Sequence, residues 1–264
     1  MIRLVAADMD GTLLNSRGEI PAGFGDAVRA LSGNGVRFAV ASGRQYEGVV
    51  NYFDGLRDEI IFLCENGARV VWRGEDIFLS EVPFPKLSEP AELIRSIPNA
   101  YPLICGTGAA WIESDNAVLL ENASIYYKRL EIVPDVLEAA KHDRICKIAA
   151  FDADGAESNS YPPLRRFEDR FRVTLSARCW VDLMNPGVDK GLAMRKLQEY
   201  FGCSPEETMA FGDYLNDVPM MEYSFYSYAM ANAHPDLKLL CRYETLSNDE
   251  NGVMTAMRER FPFL

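Results

Sequence analysis

The sequence predicts an α/β protein whose mainly parallel core sheet is interrupted by a separate α+β domain. Three observations carry this expectation. Short runs apolar on both faces recur at 2–7 (IRLVAA), 36–41 (VRFAVA), 60–64 (IIFLC) and 208–211 (TMAF), with stretches of helical period between them. Strands apolar on both faces need helices on both faces, which is the condition of a mainly parallel sheet. Between Pro83 and Pro186 the rhythm is lost, and the segments PFPKLSEP and MNPGV bracket the change as two linkers would.

Each element follows in order. The run 2–7 is a buried first strand that ends in DMDGTLL, residues 8–14. PAGFGDAVRALSGNG (21–35) has helical period and a glycine stop before the second strand. Residues 68–82 form a hairpin turning at Arg73 and Gly74. Within the insert, helices are expected near 87–97, 118–130, 133–141 and 163–170, and strands near 101–105, 109–113, 145–151, 171–176 and 179–184. After Gly187 the alternation resumes: DKGLAMRKLQEYFG is a helix, TMAFGD a strand with an acidic end, and PMMEYSF another helix. The stretch from Ala229 to Met257 then reads as a short strand, a helix, a strand and a last helix. The core is therefore discontinuous, 1–82 plus 187–264, around an inserted domain at 83–186.

Composition narrows the function. The 264 residues carry 27 basic and 39 acidic side chains, a net charge of -12 that repels nucleic-acid backbones and anionic lipid. Neither nucleic acid nor membrane is an expected partner, and Asp8 breaks the first apolar run before a signal-peptide core could form. The closest of the six cysteines, Cys179 and Cys203, are 24 positions apart, which suits neither CxxC metal sites nor a secreted disulfide framework. Reduced thiols, each read as a small buried apolar residue, and a cytoplasmic protein are expected. His142 and His234 lie in polar contexts without a serine-based triad around them. In the insert, Arg165, Arg166, Arg170, Arg172 and Arg178 alternate with Glu168 and Asp169, the pattern of a solvated mixed-charge face rather than a second phosphate site.

The polar residues ending the core strands converge on one chemistry. In an open parallel sheet the carboxyl ends of the strands share an edge, where ligands bind. Asp8 and Asp10 end the first strand, Ser42, Gly43 and Arg44 the second, and Asp213, Asn216 and Asp217 follow the later one, while Lys190 and Gly191 open the helix after the insert. Paired carboxylates repel and lose hydration unless a cation or a reaction uses them. Asp8, Asp10 and Asp213 offer oxygen ligands suited to Mg²⁺. Ser42, the Gly43 amide and Lys190 are donors for the remaining oxygens of a phosphate. Phosphoryl transfer needs such a set, because the protein mostly positions groups and neutralises charge. Asp8 is the candidate nucleophile, and Asp10 is placed to protonate the leaving oxygen and then deprotonate water.

These residues carry a family resemblance. DMDGTLL, ASGR, DKG and FGDYLND resemble, in order, the four motifs of the haloacid dehalogenase superfamily of phosphatases. ENGA at 65–68, the large insert and the AMANA…LK…SNDENGV tail resemble its Cof-type sugar phosphatase branch. The resemblance implies a Rossmann-like core with a mobile αβ cap, a Mg²⁺ cofactor and small phosphorylated metabolites as substrates. It implies that Asp8 is nucleophile and metal ligand, that Asp10 gives the metal its backbone carbonyl, and that Asp213 is the other ligand. Ser42, Gly43, Lys190 and Asn216 would hold the phosphate, with Asp217 near the metal or steadying Lys190. Ala231 departs from the glycine usual in AMGNA, outside the motifs. Two other readings use a similar residue set: a phosphohexomutase of the phosphomannomutase kind, and a receiver-type phosphorylation switch, which is shorter and has no insert.

Overall fold

A computed structural model describes residues 1–264. Its first half runs β1 (Leu4–Asp8), α1 (Phe24–Gly33), β2 (Arg37–Ala41), α2 (Tyr46–Val50), β3 (Ile60–Cys64), β4 (Arg69–Trp72) and β5 (Glu75–Leu79). The inserted segment adds α3 (Ser88–Ser96), β6 (Ala100–Gly106), β7 (Ala110–Ile112), α4 (Ala117–Tyr126), β8 (Leu130–Ile132), α5 (Val136–Ala140), β9 (Ile145–Asp152), α6 (Tyr161–Leu164), β10 (Arg172–Ala177) and β11 (Trp180–Met184). The chain then continues through α7 (Lys190–Phe201), β12 (Thr208–Gly212), α8 (Val218–Glu222), β13 (Tyr226–Ala229), α9 (Pro235–Leu240), β14 (Tyr243–Glu244) and α10 (Gly252–Arg260).

Two compact units result, Met1–Phe78 with Asp189–Leu264, and Leu79–Val188. The divisions fall at 78/79 and 188/189, where the sequence reading set them at 82/83 and 186/187. The reason lies in the hydrogen bonds of the connecting segments: Asn185 Nδ2 donates to the Glu81 carbonyl at 2.8 Å and to Ser80 Oγ at 3.2 Å, and the Val82 amide donates to the Ile145 carbonyl. Residues 80–82 and Asn185 are thereby fastened within the second unit, which begins before Pro83 and ends after Pro186.

The first unit is built on an eight-stranded sheet of order β14-β13-β12-β1-β2-β3-β4-β5. Its pairings from β14 through to β3 are parallel, and β4 returns antiparallel to β3. β1, β3 and β12 are buried at every position, as strands covered on both faces must be. Phe24, Phe38, Phe53 and Phe62 interlock through edge and tilted ring contacts with centroids 5.2–6.0 Å apart. The hairpin turns where the sequence placed it, with Arg73 and Gly74 both at positive φ.

The second unit is a six-stranded sheet of order β10-β11-β9-β6-β7-β8. It is antiparallel except where β8 runs parallel to β7. β8 corrects the sequence reading, which ran a helix through 118–130. The helix stops at Tyr126 and Tyr127 turns extended, so Leu130–Ile132 pairs with Ala110–Ile112 instead. Arg165 pairs with Glu168, while Arg166 and Arg170 share Glu89, the mixed-charge surface expected there. Cys64, Cys105 and Cys146 are buried, but Cys179, Cys203 and Cys241 are only partly so, against the expectation for all six; none is in a disulfide. No helix is long and apolar enough to cross a membrane.

Candidate active site

Four of the predicted residues meet where the carboxyl ends of β1 and β12 adjoin the start of α7. Asp8 is the last residue of β1, and pairing with Ala41 of β2 and burial at 6% exposure fix its backbone. Lys190 opens α7, whose N-cap Asp189 accepts the Leu192 amide. A lysine in a first helical turn meets the positive end of the helix dipole, so it needs anions to remain there buried. It has two. Its ammonium donates to Asp8 Oδ1 and, at 2.6 Å, to Asp217 Oδ1, and only 1% of Lys190 is exposed. The other Asp217 oxygen accepts the Asp213 amide at 3.0 Å and the Tyr214 amide at 3.2 Å, folding the GDYLND loop around it. Thr12 Oγ1 donates to Asp213 Oδ1 at 3.0 Å and sets the remaining carboxylate.

Two glycines make this approach possible. Gly11 has φ +81, and a Cβ there would lie 2.4 Å from Asp213 Oδ2. Gly67 has φ +95, and a Cβ there would lie 2.2 Å from the Asp189 carbonyl oxygen, so only glycine lets the turn after β3 rest on the start of α7.

The electrostatics are those of an anion-rich pocket. Burial raises the Asp8 carboxyl well above its ordinary value, with the charges of Asp217 and Asp213 adding and Lys190 opposing. Burial raises Asp213 too, and Asp217 adds to it. For Lys190, burial alone would release the proton, but Asp217 and Asp8 outweigh it and hold the ammonium charged. One carboxylate oxygen from each of Asp8, Asp213 and Asp217 lies within 4.8 Å of the others. Three carboxylates facing one ammonium leave negative charge in excess. An all-oxygen donor set of that size and charge suits a hard divalent cation.

Around this cluster lie the other predicted residues. Ser42 is buried at the end of β2, where its Oγ accepts the Arg44 amide at 3.1 Å. Beside Gly43 lies the Asn66 side chain, whose Oδ1 accepts from Asn216 Nδ2 at 3.4 Å. Asp10 departs from the reading of three carboxylates around a cation: its side chain is 51% exposed and is gripped by Arg44, with Nε to Oδ2 at 3.0 Å and Nη2 to Oδ1 at 2.5 Å. The third carboxylate of the cluster is Asp217.

Sequence reasoning placed Arg44 among the strand-end residues without giving it a role, and passed over Thr12 and Asn66 as site residues. Arg44 was visible as the last letter of ASGR. Asn66 had a signal as well, because an Asn-Gly pair straight after a strand favours the left-handed region, where Asn66 sits at φ 52 and ψ 34. Glu65 before it is left-handed too, at φ 51. Two such non-glycine residues in succession are strained, and strain of this kind gathers at sites.

Comparison with known proteins agrees with this geometry. The family model for haloacid dehalogenase-like hydrolases matches residues 5–257. The chain is similar to the 5-amino-6-(5-phospho-D-ribitylamino)uracil phosphatase YbjI of Escherichia coli, at 31% identity over 96% of this chain and 94% of that enzyme. It is similar to phosphatase YwpJ of Bacillus subtilis, at 26% identity over 97% and 99% of the two chains. Among solved structures, a haloacid dehalogenase-like hydrolase from Bacteroides thetaiotaomicron superposes with a TM-score of 0.89 at 26% identity, covering 99% of this chain and all of that one. Fold and comparisons together define a phosphoric monoester hydrolase. The chain belongs to the haloacid dehalogenase-like hydrolases, in their Cof-type branch.

Proposed function

We propose that this phosphatase is Mg²⁺-dependent and hydrolyses small phosphorylated metabolites, sugar phosphates first, in the cytoplasm and through an aspartyl-phosphate. The observation that carries the reading is the Lys190 ammonium shared between Asp8 and Asp217, with Asp213 in the same cluster. Buried and charged, it is placed to meet a phosphoryl group that arrives at Asp8. The Escherichia coli relative supports the substrate class, since its named substrate carries phosphate on a polyhydroxylated ribityl chain.

The residues divide the work as follows. An Asp8 carboxylate oxygen attacks phosphorus, the bond from phosphorus to the ester oxygen breaks, and that oxygen takes its proton from the Asp10 carboxyl and leaves as an alcohol. Water then attacks the phosphorus of the acyl phosphate and gives a proton to Asp10. The bond to Asp8 breaks, and inorganic phosphate departs. Lys190, the Ser42 hydroxyl, the Gly43 amide and the Asn216 amide hold the phosphoryl oxygens throughout. Asp8, Asp213 and the Asp10 carbonyl would hold Mg²⁺, with Asp217 near the metal or steadying Lys190, and the contribution of the ion when bound is to neutralise charge on those oxygens.

A panel of phosphorylated metabolites, scored by kcat/KM with release of inorganic phosphate, tests this reading. Sugar and polyol phosphates are expected at the top, with activity lost on chelation and restored by Mg²⁺. Dependence on a catalytic bisphosphate would move the chain to the mutases, and full turnover by Asp8→Asn would end the covalent mechanism.

A further inference from the structure

We propose that Arg44 and Tyr52 form a positioning pair for the Asp10 side chain, and that Tyr52, outside every motif, acts on the reaction through Arg44. The inference rests on the phosphatase reading with Asp10 as proton donor and acceptor.

The contacts form a single line. Both Asp10 oxygens are taken by the Arg44 fork, through Nε at 3.0 Å and Nη2 at 2.5 Å. The third guanidinium nitrogen, Nη1, donates to Tyr52 Oη at 3.1 Å, and the guanidinium carbon lies 5.5 Å from the centre of the Tyr52 ring. The backbone of Arg44 is pinned as well: its amide donates to Ser42 Oγ and its carbonyl accepts the Glu65 amide, each at 3.1 Å. Arg44 is 20% exposed where Asp10 is 51% exposed. The fork therefore has one side in the protein and presents the other to a carboxylate that solvent would otherwise leave free to turn.

Stability does not explain this arrangement, since a half-exposed ion pair adds little of it. Geometry does. A carboxylate with two soft torsions in water samples several rotamers, and a bidentate guanidinium selects one of them. Arginine does this and lysine does not, because only the planar fork meets two oxygens at once. Each Asp10 oxygen keeps a second lone pair for the proton it exchanges with the ester oxygen or with water. Tyr52 stops the fork from swinging with its long side chain, through its hydroxyl and its ring face.

The test compares leaving groups. An alkyl phosphate needs a proton on its departing oxygen, whereas p-nitrophenolate leaves without one. In Arg44→Lys, kcat/KM for an alkyl sugar phosphate is expected to fall about 100-fold, the scale of a misplaced catalytic group, while kcat/KM for p-nitrophenyl phosphate changes little. Tyr52→Phe is expected to move the alkyl substrate in the same direction by a smaller factor, and to have no effect in an Arg44→Ala background. Equal losses on both substrates, or a Tyr52→Phe effect that persists without Arg44, would overturn the proposal in favour of phosphate binding or simple packing. Unchanged or faster alkyl turnover in Arg44→Lys would overturn it too. Thermal melts of each variant exclude unfolding as the cause. Asp8→Asn run alongside separates the two ideas: if it abolishes both activities the phosphatase reading stands whatever Arg44 does, and if it does not, that reading fails first.

Discussion

Asp217 holds Lys190 by one carboxylate oxygen, at 2.6 Å, and the Asp213 amide by the other, at 3.0 Å. It therefore fixes the ammonium and the loop bearing an acid of the cluster at the same time. Removing one partner of a buried ion pair leaves the other charge uncompensated, at a cost of about 3–5 kcal/mol. Asp217→Ala is expected to lower urea-unfolding stability on that scale and to depress kcat/KM. Asp217→Asn, which keeps an oxygen acceptor, should lose less stability than activity. Unfolding curves with wild-type stability for Asp217→Ala would contradict this.

Asp8→Asn should remain folded, because Asn is nearly isosteric and the carboxylate it replaces is crowded by two others. Loss of the nucleophile is expected to reduce kcat by about 10⁴-fold or more, the scale seen when a covalent catalytic group is removed. Rapid quench and intact-mass measurement should find a phosphorylated wild-type chain and none in the variant.

The pH dependence of stability without metal follows from the raised carboxyls. Asp8 and Asp213 bind protons more tightly folded than unfolded, so their contribution is fully present below the ordinary value of 3.8. It is lost as pH rises through their higher folded values. A divalent cation reverses that loss by binding the ionised, folded site, worth about 2.7 kcal/mol at a hundredfold excess over Kd. Melting with chelator or with Mg²⁺, compared from acidic to neutral pH, should show a stabilisation by the metal that grows with pH. A metal effect independent of pH would refute the assignment of the cluster.

Gly11→Ala should act on the site through Asp213. The new methyl must displace the carboxylate 2.4 Å away while the backbone stays at φ +81, a strained combination costing about 1–3 kcal/mol. Weaker Mg²⁺ binding by calorimetry, together with a lowered melting temperature, is the expected result. Binding as tight as wild type would show that Asp213 is not a ligand.

How much of this was legible in the sequence differs between parts. The parallel core was, because the apolar runs of β1, β3 and β12 have no polar face and only two-sided cover tolerates that. The insert was legible as a break in rhythm, but β8 was not: AVLLENASIYYKRL has the residues of a helix, and only the open edge of β7 draws Leu130–Ile132 into a strand. In the site, Asp8, Lys190, Asp213 and Asp217 could be read as strand ends and a helix start. The Arg44 grip on Asp10 could not, since it joins side chains 34 positions apart by their torsions rather than by any periodicity. The junctions at 78/79 and 188/189 likewise depend on Asn185 reaching Ser80 and Glu81, across about a hundred residues that no local pattern spans.

The 182 positions between Asp8 and Lys190 also set an order of events during synthesis. β1 is the middle of the sheet, yet its neighbour β12 emerges from the ribosome only after the whole insert has been made. At about 5–20 residues per second, the nascent chain shows an unpaired edge of valine and alanine for seconds to tens of seconds. Codon choice across the insert and access of a chaperone to that edge therefore bear on the yield of this enzyme as directly as any side chain in its pocket.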